Sequence, residues 1–239
     1  MDFASLEGLK QKLKEISEKG FIKSHRSNNT GIGKTLEDEM NISENNLPEH
    51  DFTIGKTLIE LKAQRIEAET PITLSTKEPT WKMNKFEVIR KTGYIDKKGR
   101  QALKIILSTR GYNPKGYKLE IRGVFRKRIA IIHHKLGEVC FFDYGKLMSI
   151  IRAKLGENIL LVLADVKKKG DNEYFHYKEA LYLSGFKPQE FKKMIKDGRI
   201  VWEFRLHLKS DTAIRDHGSG FRTARKNLSD LYQKEINLI

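Results

Sequence analysis

A single cysteine, Cys140, stands in 239 residues. One thiol excludes an internal disulfide framework and a cysteine-based zinc site. No apolar run approaches the ~20 residues of a membrane-spanning helix. The opening stretch "MDFASLEGLKQKLKEI" lacks the apolar centre and small-residue cleavage site of a secretory signal, so the expectation is a cytoplasmic protein. Acidic residues are in short supply: 31 Asp and Glu face 46 Lys and Arg, a formal charge of +15. Such a field attracts polyanions. Nucleic acid is the leading partner and an anionic membrane surface the weaker one, because no basic amphipathic helix carries bulky aromatic anchors. A hydrophobic content of 38% against 32% charged residues suits a globular chain, either one domain or a two-lobed one.

The hydrophobic pattern divides the chain into elements. Leu6, Leu9, Leu13 and Ile16 recur at helical spacing and Gly20 is a plausible stop. Thr35 to Met40 reads as a second short helix, "NISENNLPEHD" as a turn-rich connector, and "TLIELKA" as an alternating strand. "TPITLSTKEPT" reads as a further strand, and Trp81 to Lys91 as a helix. The second half changes texture. "ALKIILSTR", "KGYKLEIRG", "RIAIIHH" and "EVCFFD" are short strands joined by Gly, Pro and Asn turns. Tyr144 to Leu155 and Pro188 to Lys196 read as helices, "NILLVLADV" and "IVWEFRLHL" as strands, and the latter part of "FRTARKNLSDLY" as a helix. Helices interleaved with strands, then hairpins, predict a mixed-sheet α/β fold with a strand-rich lobe.

"GIGKT" (Gly31 to Thr35) and its echo "IGKT" (Ile54 to Thr57) suggest a phosphate-binding loop, but the pattern G-x-x-x-x-G-K-[ST] fails in both copies. The first glycine position is Asn28 in one and His50 in the other. No buried strand precedes the first copy, so nucleotide binding is set aside.

Acids beside these pieces point elsewhere. Glu60 and Lys62 lie two apart on one strand, so both point to the same side, and Asp51 lies just upstream. Asp, then Glu-x-Lys, suits metal-dependent phosphodiester hydrolysis: two carboxylates hold Mg²⁺, the ion acidifies a water, and the ammonium stabilises charge or orients that water. Glu37 offers a third carboxylate. The spacing also fits a solvated strand face. Acid-x-Lys recurs at Asp96–Lys98, Asp165–Lys167 and Glu190–Lys192, of which Asp165–Lys167 is the serious rival because it ends an apolar strand.

Near the C-terminus, Arg205 and His207 share a strand face, and the loop after them offers Arg215, Asp216, His217, Arg222 and Arg225 with Gly218 and Gly220. Arginine pairs bidentately with guanine O6 and N7, and histidine can donate to the same acceptors, so this region suits major-groove reading. Phosphate contact or a solvated basic loop would use the same residues.

"NTGIGKTLED" (Asn29 to Asp38), "PEHDF…IELK" (Pro48 to Lys62), "TLSTKEPT" (Thr73 to Thr80) and "DHGSGFR" (Asp216 to Arg222) together resemble the MvaI/BcnI group of type II restriction endonucleases, relatives of the nicking nuclease MutH. The resemblance runs from about Leu6 to the C-terminus. It implies a PD-(D/E)xK fold, a mixed sheet flanked by helices in two lobes: residues 1–95 mainly catalytic and 96–239 mainly DNA-recognising, with interleaving allowed. It further implies Asp51 and Glu60 as ligands of Mg²⁺, Lys62 serving the attacking water, and Glu37 as a supporting acid. Arg205, His217 and Arg222 would be base readers on a short GC-containing site in double-stranded DNA, with the enzyme acting as a monomer. A MutH-like repair nickase and a non-catalytic DNA-binding protein remain alternatives.

Overall fold

The computed structural model describes residues 2–42, 50–123 and 127–239; most of the connector read around Pro48 lies outside them. In chain order the elements are β1 (Asp2–Phe3), α1 (Leu6–Glu18), β2 (Ile22–Lys23), α2 (Gly31–Glu39), β3 (Phe52–Ile54), β4 (Thr57–Arg65), β5 (Ile72–Ser75) and β6 (Thr80–Trp81). There follow α3 (Lys85–Thr92), β7 (Tyr94–Ile95), β8 (Gln101–Leu107), β9 (Tyr117–Arg122), β10 (Arg128–His133), β11 (Gly137–Asp143) and α4 (Tyr144–Leu155). The last are β12 (Asn158–Lys169), β13 (Asn172–Phe186), α5 (Pro188–Lys196), β14 (Ile200–Leu208), β15 (Ile214–Asp216), β16 (Gly220–Thr223) and β17 (Tyr232–Asn237).

Two compact units form. One comprises residues 1–69, 152–187 and 229–239; the other comprises 70–151 and 188–228. The chain therefore passes between the two units four times.

The first unit is built on the sheet β1-β3-β4-β12-β13-β17, with β2 also on β13. Strand β4 runs parallel to β12, Glu60 opposite Ile159 and Lys62 opposite Leu161, while β3 and β4 form an antiparallel hairpin. Leu9, Leu13 and Ile16 of α1 and Ile32 and Leu36 of α2 share a buried cluster with Ile59, Leu61, Leu160 and Val162. The alternation of β4 thus turns Ile59 and Leu61 towards the helices and Glu60 and Lys62 to the opposite face.

The second unit pairs a sheet of order β5-β16-β14-β8-β7, with β15 also on β14, with a smaller sheet β6-β11-β10-β9. Trp202, Phe204 and Phe221 from the larger sheet meet Phe142 and Tyr117 from the smaller, and Phe191 of α5 reaches Phe221. The even-numbered residues of β14 form this core, so Glu203, Arg205 and His207 occupy the outer face.

Several local expectations shift for physical reasons. Helix α2 begins at Gly31 rather than Thr35, because a glycine there lets the helix end press against Ser24 and the Arg26 carbonyl. Trp81 belongs to β6. Helix α3 starts later because Asn84 caps it, accepting from the amides of Phe86 and Glu87. The segment read as a C-terminal helix is two single turns, Arg225–Asn227 and Ser229–Leu231, followed by β17. Among the described residues no helix is long and apolar enough to cross a membrane.

Candidate active site and nucleic-acid face

Both copies of the Gly-Lys-Thr sequence are structural. The first lies inside α2, where Lys34 pairs with Asp38 at 2.6 Å and Thr35 Oγ1 accepts from the His25 amide. The second makes the β3–β4 turn, with Gly55 at φ +59°. Neither is a loop that could cradle phosphates.

The β3–β4 hairpin gathers the acid-acid-lysine set. Asp51 precedes β3, its amide donating to the Ile59 carbonyl at 3.1 Å, and its Oδ2 accepts from the Leu61 amide at 2.6 Å. Leu61 separates Glu60 from Lys62, so this bond ties the upstream acid to the Glu-x-Lys strand. Glu60 is only 7% exposed, and Lys62 Nζ donates to Glu60 Oε1. Burial raises the Asp51 carboxyl above its ordinary range, the negative charge of Glu60 raises it further, and the Leu61 amide, Lys62 and His50 only partly offset this. Two desolvated carboxylates that repel each other form an oxygen-rich pair suited to a hard divalent cation, so these residues fit Mg²⁺.

Glu37 sits half-buried on α2, its carbonyl accepting from the Ile42 amide. Among the described residues no three His, Cys, Asp or Glu side chains gather as a metal-holding group, so Glu37 is not brought into one set with Asp51 and Glu60. The rival Asp165 is occupied by Lys178 at 2.5 Å. Asp96 is a turn residue held far below the ordinary carboxylate range, chiefly by Arg100.

On the outer face of the larger sheet of the second unit, register places Arg205 opposite Lys104, His207 between Ala102 and Arg215, and Glu203 between Ile106 and Gly220. Arg222 and Thr73 lie opposite each other one strand on. The "DHGSGFR" segment is a tight turn: Asp216 Oδ1 accepts from Ser219 N and Oγ at 2.7 and 2.8 Å, and Gly218 takes φ +88°. Ser219 Oγ accepts from the Arg205 amide, and the His217 amide donates to the Arg205 carbonyl. Gly220 approaches the Ser75 carbonyl too closely to tolerate a side chain.

The turn stacks His217 on His207, ring centroids 4.9 Å apart and 18° from parallel. Partial burial lowers both imidazoles below 6.5; Arg100 is the next cause for His207, and Arg215 for His217. Arg205 and Arg215 are exposed. Arg222 is not: its side chain is 12% exposed, donates to Thr73 Oγ1 and to the Gly218 carbonyl at 2.8 Å, and places Nε 2.5 Å from Glu203 Oε2 in an ion pair rather than an aligned hydrogen bond. Arg225 opens the single turn after β16 and is half-buried.

Sequence reasoning missed Lys104, Glu203 and the Asp96–Arg100 pair. Lys104 is the sole charge in an apolar strand, and Glu203 alternates with Arg205, so both signals were present. Asp96 gave only a weak acid-x-Lys pattern. Its role in holding Arg100 and Lys104 needed coordinates.

A model of the MvaI/BcnI restriction endonuclease family matches residues 10–232. The chain belongs to that family. As a member it is a type II restriction endonuclease, a site-specific deoxyribonuclease acting on double-stranded DNA. No curated protein matches the chain. Among solved structures, the restriction endonuclease MvaI in complex with cognate DNA is similar at TM-score 0.79 and 24% identity, covering 98% of each chain. MvaI in the absence of DNA is similar at TM-score 0.53 and 20% identity, covering 97% of this chain and 96% of that one. These likenesses bear out the mixed α/β restriction-endonuclease fold.

Proposed function

We propose that this endonuclease is Mg²⁺-dependent, with catalysis in the first unit and base reading in the second. The observation that carries the reading is the hydrogen bond from Leu61 to Asp51, which draws Asp51, Glu60 and Lys62 into one desolvated corner. Asp51 and Glu60 would hold the ion. When bound, it would supply Lewis acidity towards a phosphodiester oxygen and acidify a water. Lys62, whose ammonium already lies on this corner, would orient the attacking water and offset developing negative charge. Glu37 would act as a supporting acid from α2.

The outer face of the larger sheet in the second unit would enter the major groove of a short GC-containing site. Arg205, Arg215 and His217 would meet base edges or phosphates there. Arg222 would contribute chiefly by bracing the "DHGSGFR" turn, and Arg225 by phosphate contact. The enzyme would act as a monomer.

The test is digestion of unmethylated, sequence-diverse DNA with Mg²⁺ and with EDTA, followed by sequencing of new ends. Discrete fragments sharing a short motif, formed only with Mg²⁺, are expected. Cutting in EDTA would overturn the metal assignment, and ends without a shared motif would overturn base reading. Breaks confined to one strand would favour a nicking enzyme.

A further inference from the structure

Among the described residues of the second unit the exposed large hydrophobics are Ile95, Ile106 and Tyr112, and of these Ile106 is the one on the β8–β14 ladder. A lone exposed aliphatic residue needs no explanation in itself, but this one departs from its strand and its surroundings together. Ala102, Leu103, Ile105 and Leu107 of β8 are all buried, whereas Ile106 is 53% exposed. Register sets it directly opposite Glu203, one step along from the Lys104–Arg205 pair, so it belongs to the polar outer face. Its backbone is anchored, the carbonyl accepting from Asn113 Nδ2 at 2.9 Å. Its branched Cβ restricts χ1. A stiff hydrocarbon, more than half exposed, thus stands in register with a carboxylate and beside a pair of cations.

The apolar group that base edges present in the major groove is the methyl on pyrimidine C5, found on thymine and on 5-methylcytosine and absent from uracil and cytosine. We infer that Ile106 is a specificity-determining residue, packing against the C5 substituent of one pyrimidine while the charged side chains beside it contact polar edges. The inference rests on the proposed reading role of this face and adds an apolar contact to it.

The test uses the full-length protein and duplexes carrying its mapped cleavage site. Each thymine in and next to the site is replaced in turn by deoxyuridine, and each cytosine by 5-methylcytosine. Binding is measured in Ca²⁺ for the wild type, Ile106→Ala and Ile106→Val. At one pyrimidine position, removing or adding the methyl is expected to change wild-type affinity by about fourfold, the weight of one methyl-sized group. Ile106→Ala should be insensitive to that change, and Ile106→Val should retain most of it. Melting temperatures should be nearly equal, since the side chain is exposed. If the wild type shows no methyl-dependent position, or if Ile106→Ala responds as the wild type does, the inference falls. A wild type that binds no mapped site at all would instead sink the reading role of the face.

Discussion

Asp51 Oδ2 accepts a 2.6 Å hydrogen bond from the amide of Leu61, the residue between Glu60 and Lys62. This bond fixes the spacing of the two carboxylates through the backbone of the strand that carries one of them. It holds Asp51 where burial and Glu60 both disfavour its charge.

Asp51→Asn is therefore expected to stabilise the metal-free protein while ending its activity. A carboxyl whose folded pKa lies above its unfolded value of 3.8 favours the fold below that value, and the benefit is lost as pH rises through the folded pKa. Above its folded pKa the wild type holds a repelled anion that asparagine removes, while the amide oxygen can still accept from Leu61. Thermal melts in EDTA should show a higher midpoint for the variant. Cleavage should drop by more than about a hundredfold, in line with several kcal/mol of lost metal-ion stabilisation. A lower midpoint would show that the repulsion is not felt.

Lys62→Met separates chemistry from binding. The ammonium bonds to Glu60 rather than lying on the proposed reading face, so DNA affinity in Ca²⁺ should stay at the wild-type level. Single-turnover cleavage should fall by about two orders of magnitude, the range for removing one preorganised stabilising group. Equal losses of affinity and rate would assign Lys62 to DNA binding instead.

Arg205 and Arg222 should behave differently, although both lie in the same motif region. Arg205→Ala is expected to weaken site binding by ~1–3 kcal/mol with an unchanged melting temperature. Arg222→Ala should also lower stability, because Glu203 loses its ion pair with Arg222 and keeps only the longer 3.7 Å one with Arg205, and the Gly218 carbonyl loses a donor. The pair is partly solvated, so a loss of roughly 1–3 kcal/mol is expected rather than the 3–5 of a fully buried pair. Denaturant titration alongside a binding isotherm distinguishes the two.

The His207–His217 stack predicts a pH dependence. Both imidazoles are lowered, so the unfolded chain binds more protons as pH falls below about 6.5, and the fold loses stability in that window. Arg100, Lys104, Arg205 and Arg215 oppose the charge, and Asp96 alone of the groups acting on His207 favours it. His207→Phe keeps the stacked ring without the proton site. Melts between pH 7.5 and 5.5 should show a shallower decline for it than for the wild type; parallel curves would remove the stack as the cause.

Legibility in the sequence followed the strength of local signals. Helices α4 and α5 coincide with the spans read from periodicity, and β4 was readable because Leu58, Glu60, Lys62 and Gln64 alternate with Ile59, Leu61 and Ala63. The 15-residue β13 was not readable: "NEYFHYKEALYLSGF" mixes charges with aromatics, and its ladder with β12 slips at Leu163/Ala164. The polar β17 depends on β13 for its pairing, a contact that no local pattern announces. Asp51, Glu60 and Lys62 could be picked out as candidates from spacing. That Arg222 turns inward to Thr73 and Glu203 could not, since its partners are 149 and 19 positions away.

The parallel pairing of β4 with β12 also sets a clock. Glu60 and Lys62 leave the ribosome early, but their neighbours Ile159 and Leu161 follow about 100 residues later, a delay of ~5–20 s at ordinary elongation rates. Until then β4 has only β3 beside it, and Glu60 and Lys62 stand on a hairpin without a finished sheet. By strand order alone, this corner of the sheet is completed late in the chain's synthesis.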